Sequence, residues 1–247
     1  MDAAVLRDDM VEGLVHESKG WLRSAPLAEA MRTVPREPFL PDERDAYADR
    51  DHSHLGTRIL APSTVARLLE ALEPSEGDEV LVVGAGVGYT AAVLAELVGA
   101  ESVQAVDITR RLVYEARSNL AAAGYGGVLV DCRDGADGLP EYAPYDRILV
   151  EAAAVQPPAA LVEQLATNGR LVMPIGTGTQ HLTVIEADGG TIEHGACAFD
   201  PLLVEGEQAD TLERNRTRRE DREFAERAAR RRKGWELEWI DWEGNER

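Results

Sequence analysis

The sequence predicts an α/β protein with a mostly parallel, seven-stranded sheet and an antiparallel strand at its C-terminal end. Between residues 79 and 174, short apolar runs alternate with helical segments. This alternation favours a parallel sheet, because each parallel connection needs a crossover, which a helix supplies. The last two apolar runs are separated by a short turn at Gly189 and Gly190, which predicts an antiparallel pair. A hydrophobic content of 44% in 247 residues is sufficient for a folded core.

The first 78 residues are predicted to form a mainly helical N-terminal segment. Met10, Leu14 and Leu22 supply its intermittent apolar positions. The proline-rich run 34–41 cannot be regular helix, because proline lacks the backbone donor and biases the preceding residue toward extended geometry. A further helix is predicted over 62–72, where a proline stands at the start and apolar residues follow at core spacing.

Residues 79–204 are predicted to form the core domain. Its helices are predicted over 89–98, 110–123 and 158–166, and its strands over 80–83, 102–106, 127–130, 146–150, 170–174, 182–186 and 191–198. Residues 205–247 contain 11 basic and 13 acidic residues and three of the four tryptophans. They are predicted to be a charged C-terminal helical extension, with a helix over 211–233. Its tryptophans are expected to pack on the body of the protein, with a protein-binding anchor as the alternative.

The net charge of −19 argues against two classes of partner. Only Lys19 and Lys233 among the 26 basic residues are lysines, and so acidic a surface repels nucleic acid and anionic membranes. We expect neither as a partner. Acidity with so few lysines is also typical of a halophilic protein, since high salt screens self-repulsion. Cys132 and Cys197 form no disulfide framework, and the N-terminus lacks a signal-peptide pattern, so a cytoplasmic location is expected.

The most informative segment is an apolar strand, residues 80–83, that runs into Gly84, Gly86 and Gly88 and then a helix. Glycines let the backbone turn sharply and approach a ligand. Asp107 ends the next strand, 23 residues after Gly84, where a carboxylate can accept bonds from both ribose hydroxyls. Asp134 follows the third strand, at the same edge of the sheet. The pattern predicts a nucleoside-containing ligand; the alternative is a tight turn with no ligand.

The identity of the nucleoside follows from what the glycine-rich segment lacks. The dinucleotide fingerprint has glycine at its sixth position, where this chain has Tyr89. The segment also has no lysine or arginine and no Lys–Ser/Thr ending of a phosphate loop. These features disfavour NAD and ATP and favour S-adenosylmethionine, whose sulfonium suits an acidic pocket without phosphate-binding groups. His52 and His54 have no third spaced ligand, so no metal site is predicted.

Six segments share their pattern and order with one known family. They are VPREPFLP at 34–41, AYADR at 46–50, GAGVGY at 84–89, DG at 134–135, GLPEYAPYDRI at 138–148 and LATNGRLVMPIG at 165–176. Together the chain resembles the protein-L-isoaspartate O-methyltransferase family. The resemblance implies a Rossmann-like class I S-adenosylmethionine methyltransferase fold. It also implies methylation of the α-carboxylate of isoaspartyl residues in damaged proteins or peptides. An ionised carboxylate needs no general base, so catalysis reduces to alignment and desolvation.

Site residues are assigned by combining the pattern with this resemblance. Thr57 and Arg58, in the loop before the 62–72 helix, are assigned to the substrate. The cofactor is assigned to Gly84, Ala85, Gly86, Gly88, Asp107, Ile108, Asp134, Gly135 and Glu151. For Glu151, orienting a substrate amine or a plain exposed acid are the alternatives.

The substrate loop departs from the family pattern. Leu60 stands where a serine is usual, Arg58 where a threonine is usual and Thr57 where a glutamine is usual. Val83 and Glu151 likewise replace a glutamate and a threonine. One interpretation is that Arg58 clamps the substrate carboxylate, which suits a guanidinium. The alternatives are a different methyl acceptor, or an adaptor that binds cofactor without turnover and recruits a protein partner through residues 205–247.

Overall fold

A computed structural model describes residues 3–16 and 20–203, so the predicted extension 205–247 lies outside the described residues. The helices are α1 (Ala3–Val15), α2 (Ala25–Thr33), α3 (Pro62–Leu72), α4 (Tyr89–Val98), α5 (Arg110–Ala122) and α6 (Ala159–Glu163). The strands are β1 (His52–His54), β2 (Thr57–Ile59), β3 (Val80–Val83), β4 (Val103–Asp107), β5 (Leu129–Cys132), β6 (Tyr145–Val150), β7 (Leu165–Ile175), β8 (Gln180–Glu186) and β9 (Thr191–Cys197). Across these ranges, none of the helices combines the length and the apolarity needed to cross a bilayer.

The main sheet has seven strands in the order β5-β4-β3-β6-β7-β8-β9. Its first five strands are parallel, whereas β8 is antiparallel to β7, and β9 is antiparallel to β8. The connection from β7 to β8 spans only residues 176–179, too few for the crossover that a parallel neighbour requires. The predicted fold class is therefore confirmed, including the antiparallel C-terminal edge.

Both faces of the sheet are buried at its central strand β3, and the strand sequence explains why. In β3 the side chains of Val80 and Val82 belong to one core cluster, whereas Leu81 and Val83 belong to the other. Successive strand residues point to opposite faces, so a strand covered on both sides is apolar throughout. Residues of α1–α5 pack on the first face, and the second face contacts α6 and the segment before β6.

Several predicted boundaries in the core domain are wrong. The strand predicted over 170–174 begins five residues earlier, at Leu165. The helix predicted over 158–166 ends at Glu163, because the chain enters β7 at Leu165 and pairs with Tyr145. The strand predicted over 127–130 begins two residues later, at Leu129. A short apolar run does not distinguish the end of a helix from the start of a strand.

A small hairpin, β1–β2, occupies a stretch that the sequence analysis treats as a loop. Its two-residue turn places Leu55 at φ 51° and Gly56 at φ 79°, the conformation of a type I′ turn, which favours Asn-Gly. Leucine at the first turn position conceals this hairpin in the sequence. Nε2 of His54 lies 3.1 Å from Glu115 Oε1 on α5, so the hairpin is attached to the core domain. In the described ranges, no cluster of three or more His, Cys, Asp or Glu side chains has metal-binding geometry.

Gly176, directly after β7, provides a stability test of the sheet edge. Its φ is 145°, and an added Cβ would overlap the Thr179 carbonyl oxygen and lie 3.0 Å from Gln180 Cα. Gly176→Ala should lower the free energy of unfolding by about 2 kcal/mol, because the obstacle is backbone. Gly13→Ala is the matched control: it lies within α1 with nothing near its Cβ position, and should raise stability by about 0.5–1 kcal/mol. Chemical denaturation measures both changes, and equal effects would contradict the prediction.

Candidate active site

An open pocket lies at the carboxyl ends of β3, β4 and β6, between them and the β1–β2 hairpin. Its empty volume, counted together with the solvent-open space at its mouth, is about 810 Å³. Many of its lining residues directly follow a strand, and others come from the hairpin and the segment after β9. They include Thr57, Arg58, Leu60, Gly84, Gly86, Asp107, Ile108, Gly135, Glu151, Phe199 and Asp200. Eight of the eleven residues assigned from sequence are among them.

The glycine-rich turn after β3 is held by one buried carboxylate. Oδ2 of Asp107 accepts the N–H of Gly86 (3.0 Å), and Oδ1 accepts the N–H of Thr109 (2.8 Å). Asp107 is 8% exposed, and burial raises the pKa of its carboxyl, although the two backbone donors oppose that shift. Gly84 and Gly86 have φ values of 87° and 52°, which side chains other than glycine rarely adopt. Asp107 therefore couples the turn to the end of β4.

Three of the assigned cofactor residues support the pocket from outside its lining. Gly88 allows α4 to approach α5, because a Cβ there would lie 3.2 Å from Leu120 Cγ. Ala85 and Gly88 line a smaller cavity behind the turn. Asp134 directly precedes the lining residue Gly135, and its Oδ1 accepts the N–H of Ala136 (2.9 Å). The structure thus gives Gly88 and Asp134 roles in packing and turn formation.

Arg58 spans the pocket from the hairpin to the segment after β9. Its Nη1 donates to Asp51 Oδ2 (3.2 Å), and its Nη2 donates to the carbonyl oxygen of Ala198 (2.5 Å). The guanidinium carbon lies 5.3 Å from the centre of the Phe199 ring, within the range of a cation–π contact. Its Nε is buried and has no hydrogen-bond partner among the described residues. Thr57 is close by, with its Oγ1 4.0 Å from where a Cβ on Gly86 would be.

Glu151, directly after β6, is the second acid at the glycine-rich turn. Its Cβ lies 3.6 Å from the position that a Cβ on Gly84 would take. Burial raises the pKa of the Glu151 carboxyl to about 7, while hydrogen bonding by Thr90 and the charge of Arg58 lower it. Its Oε1 is buried without a hydrogen-bond partner in the described part of the chain. The alternative of a plain exposed acid is therefore wrong.

This carboxyl should make the ligand-free protein less stable as the pH rises. The pKa of this carboxyl is higher in the folded protein than in the unfolded chain, because burial disfavours its charged form. The free energy of unfolding therefore falls as the pH rises from about 4.5 to 7. Glu151→Gln removes this ionisation. The free energy of unfolding of the variant minus that of the wild type should therefore be greater at pH 8 than at pH 4, by on the order of 1–3 kcal/mol. Denaturation at both pH values measures this, with Glu163→Gln on the exposed part of α6 as control. A pH-independent difference would contradict the prediction.

Several residues that shape the pocket are not among those assigned from the sequence. Arg36 is fully buried, with its Nη2 donating to the carbonyl oxygen of Leu60 (2.5 Å) and its guanidinium over the Tyr89 ring at 4.4 Å. Asp51 holds the loop, because its Oδ1 accepts the N–H of Ala61 (2.7 Å). Phe199 was missed as well. Arg36 and Asp51 lie in or next to segments that carry the family resemblance, but nothing in their spacing shows what their side chains contact.

Comparison with known proteins places these features in a family. The sequence matches the family model described as protein-L-isoaspartate(D-aspartate) O-methyltransferase over residues 7–202. Proteins named protein-L-isoaspartate O-methyltransferase are similar: that of Methanocella arvoryzae is 47% identical, covering 70% of this chain and 96% of its own length. That of Aeropyrum pernix is 50% identical, covering 79% and 78%.

Solved structures agree with the sequence comparison. One named protein-L-isoaspartate O-methyltransferase has a TM-score of 0.70 at 27% identity, covering 79% of this chain and 65% of that one. The fold is shared with a putative protein-L-isoaspartate O-methyltransferase from Plasmodium falciparum, solved with S-adenosyl-L-homocysteine (TM-score 0.71, 23% identity, 80% and 98% covered). The resemblance seen in the sequence is confirmed, and the chain belongs to the protein-L-isoaspartate(D-aspartate) O-methyltransferase family.

Proposed function

We propose that the protein is an S-adenosylmethionine-dependent carboxyl O-methyltransferase that methylates L-isoaspartyl residues of damaged proteins. One observation carries this proposal: the pocket lining combines two carboxylates next to the glycine-rich turn, Asp107 and Glu151, with the guanidinium of Arg58 from the hairpin. The carboxylates complement a cationic methyl donor, and the guanidinium complements a carboxylate acceptor. Family membership supports the same reaction.

The residues at the glycine-rich turn fit S-adenosylmethionine. Gly84 and Gly86 leave space for a ligand at the carboxyl end of β3, as open α/β sheets commonly do. In this proposal Asp107 would accept bonds from the ribose hydroxyls, and Ile108 and Gly135 would provide apolar surface for the adenine. Asp134 would also face the adenine in this proposal. When bound, the cofactor supplies an electrophilic methyl group on a sulfonium.

The remaining residues act on the acceptor. Arg58 would clamp the substrate carboxylate through its unpartnered Nε and remaining N–H groups, with Thr57 contacting the same group. The acceptor is ionised at neutral pH, so no side chain has to remove a proton. Alignment of the two reactants and exclusion of water then account for the rate. The hairpin and Phe199 enclose the acceptor side of the pocket.

An assay with labelled S-adenosylmethionine tests the proposal. The protein is incubated with an isoaspartyl peptide and, separately, with the aspartyl peptide of the same sequence. We expect base-labile methyl ester on the isoaspartyl peptide alone. Label on neither peptide, with cofactor binding intact, would contradict isoaspartyl methylation. That outcome would favour a different acceptor or an adaptor role, which the apolar Leu60 in the pocket lining also fits.

Three further proposals concern the setting of this enzyme. A cytoplasmic location is supported by two free cysteines, Cys132 and Cys197. Adaptation to high salt is supported by the charge of −19 with two lysines, and stability that does not rise in molar KCl would contradict it.

A division into residues 1–78, 79–204 and 205–247, with a protein partner for the last segment, rests on composition alone. Pull-down with the full chain and a chain ending at residue 204 tests that partner.

A further inference from the structure

Glu151 has a position that the reaction itself does not explain. Its N–H donates to the carbonyl oxygen of Val83 (2.8 Å), which fixes its backbone beside the last residue of β3. The side chain therefore leaves the sheet next to Gly84, and the residue lines the pocket. Carboxylate acceptors are repelled by a carboxylate, so Glu151 is unsuited to the substrate side.

The groups around Glu151 leave it without a full counter-charge. Arg58 faces it from β2, but that guanidinium already donates to Asp51 and to the carbonyl oxygen of Ala198. Asp107 faces it from β4 and adds repulsion, and the Thr90 hydroxyl faces it from α4. Its Oε1 has no hydrogen-bond partner within the described ranges. A buried carboxylate in this state is stabilised by a cation that a ligand brings.

We propose that Glu151 makes the pocket select the cationic cofactor over its neutral product, S-adenosylhomocysteine, by facing the sulfonium. This inference rests on the proposed function and deepens it. In the transfer, an acceptor carboxylate oxygen bonds to the methyl carbon while the carbon–sulfur bond breaks, and the electron pair stays on sulfur. The sulfonium becomes a neutral thioether, and no proton is released. The favourable interaction with Glu151 is thus lost at the moment the product forms.

Two consequences follow for binding. The product leaves more readily than the cofactor, because both share every group except the charged methyl-bearing sulfur. Selection also depends on the ionisation of Glu151, whose pKa is raised to about 7 by burial. Affinity for the cofactor should therefore rise as the pH increases from 6 to 8, with release of a proton on binding at pH 6. Affinity for the product should change much less.

Calorimetry with the full-length protein, S-adenosylmethionine and S-adenosylhomocysteine tests the inference without turnover. In Glu151→Gln at pH 8, the preference for the cofactor over the product should fall about tenfold, the effect of one pKa unit of coupling. Glu151→Asp keeps the charge and should retain part of the preference. Glu163→Gln, on exposed α6 outside the pocket, should match the wild type. Thermal unfolding of each variant checks that it is folded.

Other outcomes are equally informative. An equal loss of affinity for both ligands in Glu151→Gln would overturn the inference, because Glu151 would then contact a group that cofactor and product share. Unchanged affinities would overturn it as well. Both outcomes leave the proposed function standing, since the wild type still binds the cofactor. A wild-type protein that binds neither ligand would overturn the proposed function together with the inference.

Discussion

Asp107→Ala should weaken S-adenosylmethionine binding about 100-fold. The substitution removes the carboxylate proposed to hold the ribose, and it also leaves the N–H groups of Gly86 and Thr109 without their acceptor. An unsatisfied buried donor costs about 1–3 kcal/mol, and a hydrogen bond to a charged group contributes about 1.5–3 kcal/mol. Even one such loss approaches the ~2.7 kcal/mol that a 100-fold change in affinity requires. Calorimetric titration with the cofactor measures the change.

Two further variants separate the causes of this loss. Asp107→Asn keeps an oxygen acceptor for the turn but removes the charge, so it should retain more affinity than Asp107→Ala. Asp131→Ala is the matched control, because Asp131 lies on the neighbouring strand β5 and outside the pocket lining. Cofactor affinity like that of the wild type in Asp107→Ala would remove the ribose role and contradict the prediction.

Arg58→Ala should lower kcat/KM for the isoaspartyl peptide by about 100-fold, which corresponds to roughly 2.7 kcal/mol of transition-state stabilisation. The guanidinium is the charged donor on the acceptor side, and charge-assisted bidentate pairs both hold and orient a carboxylate. Arg58→Lys keeps the charge without the planar fork, so a smaller loss of about tenfold is expected. Steady-state kinetics with varied peptide at saturating cofactor measures both losses.

Arg67 supplies an unusually close control for Arg58. Its Nη2 donates to the carbonyl oxygen of Ala196 (3.2 Å), two residues before the carbonyl oxygen that Arg58 contacts. Both arginines thus tie another element to the same part of the chain, but only Arg58 lines the pocket. Arg67→Ala should leave kcat/KM near the wild-type value. Equal losses in the two variants would show that the hydrogen bonds to the carbonyl oxygens of Ala196 and Ala198 matter for activity, rather than a contact between Arg58 and the substrate.

Much of the fold follows from the sequence because long-range packing and local pattern agree there. The continuous apolar run of β3 and the glycines after it predict both a doubly covered strand and the turn at its end. The early end of α6 did not follow, since Leu165 pairs with Tyr145 and that contact is invisible to local periodicity. The β1–β2 hairpin was missed because Leu55 occupies a turn position that sequence rules reserve for other residues.

In the candidate site, too, some features follow from the sequence and others depend on long-range contacts. Carboxyl ends of parallel strands meet at one edge, so the strand pattern together with the family resemblance could bring Gly84, Asp107, Gly135 and Glu151 together. Spacing does not specify side-chain partners, which decide what each group can do. The contacts of Arg58, for example, depend on Ala198 and Phe199, which the sequence places far along the chain.

The contact from Arg58 to Ala198 joins positions 140 residues apart, and it makes the pocket one of the last features to form during biosynthesis. The hairpin leaves the ribosome early, yet its arginine has no carbonyl oxygen to bind until β9 has been added at the edge of the sheet. Contacts of such long sequence separation form slowly and late. A chain interrupted before residue 198 would lack one wall of the pocket. The pocket would therefore be complete only in molecules in which β9 has joined the sheet and the chain has reached residues 198–199.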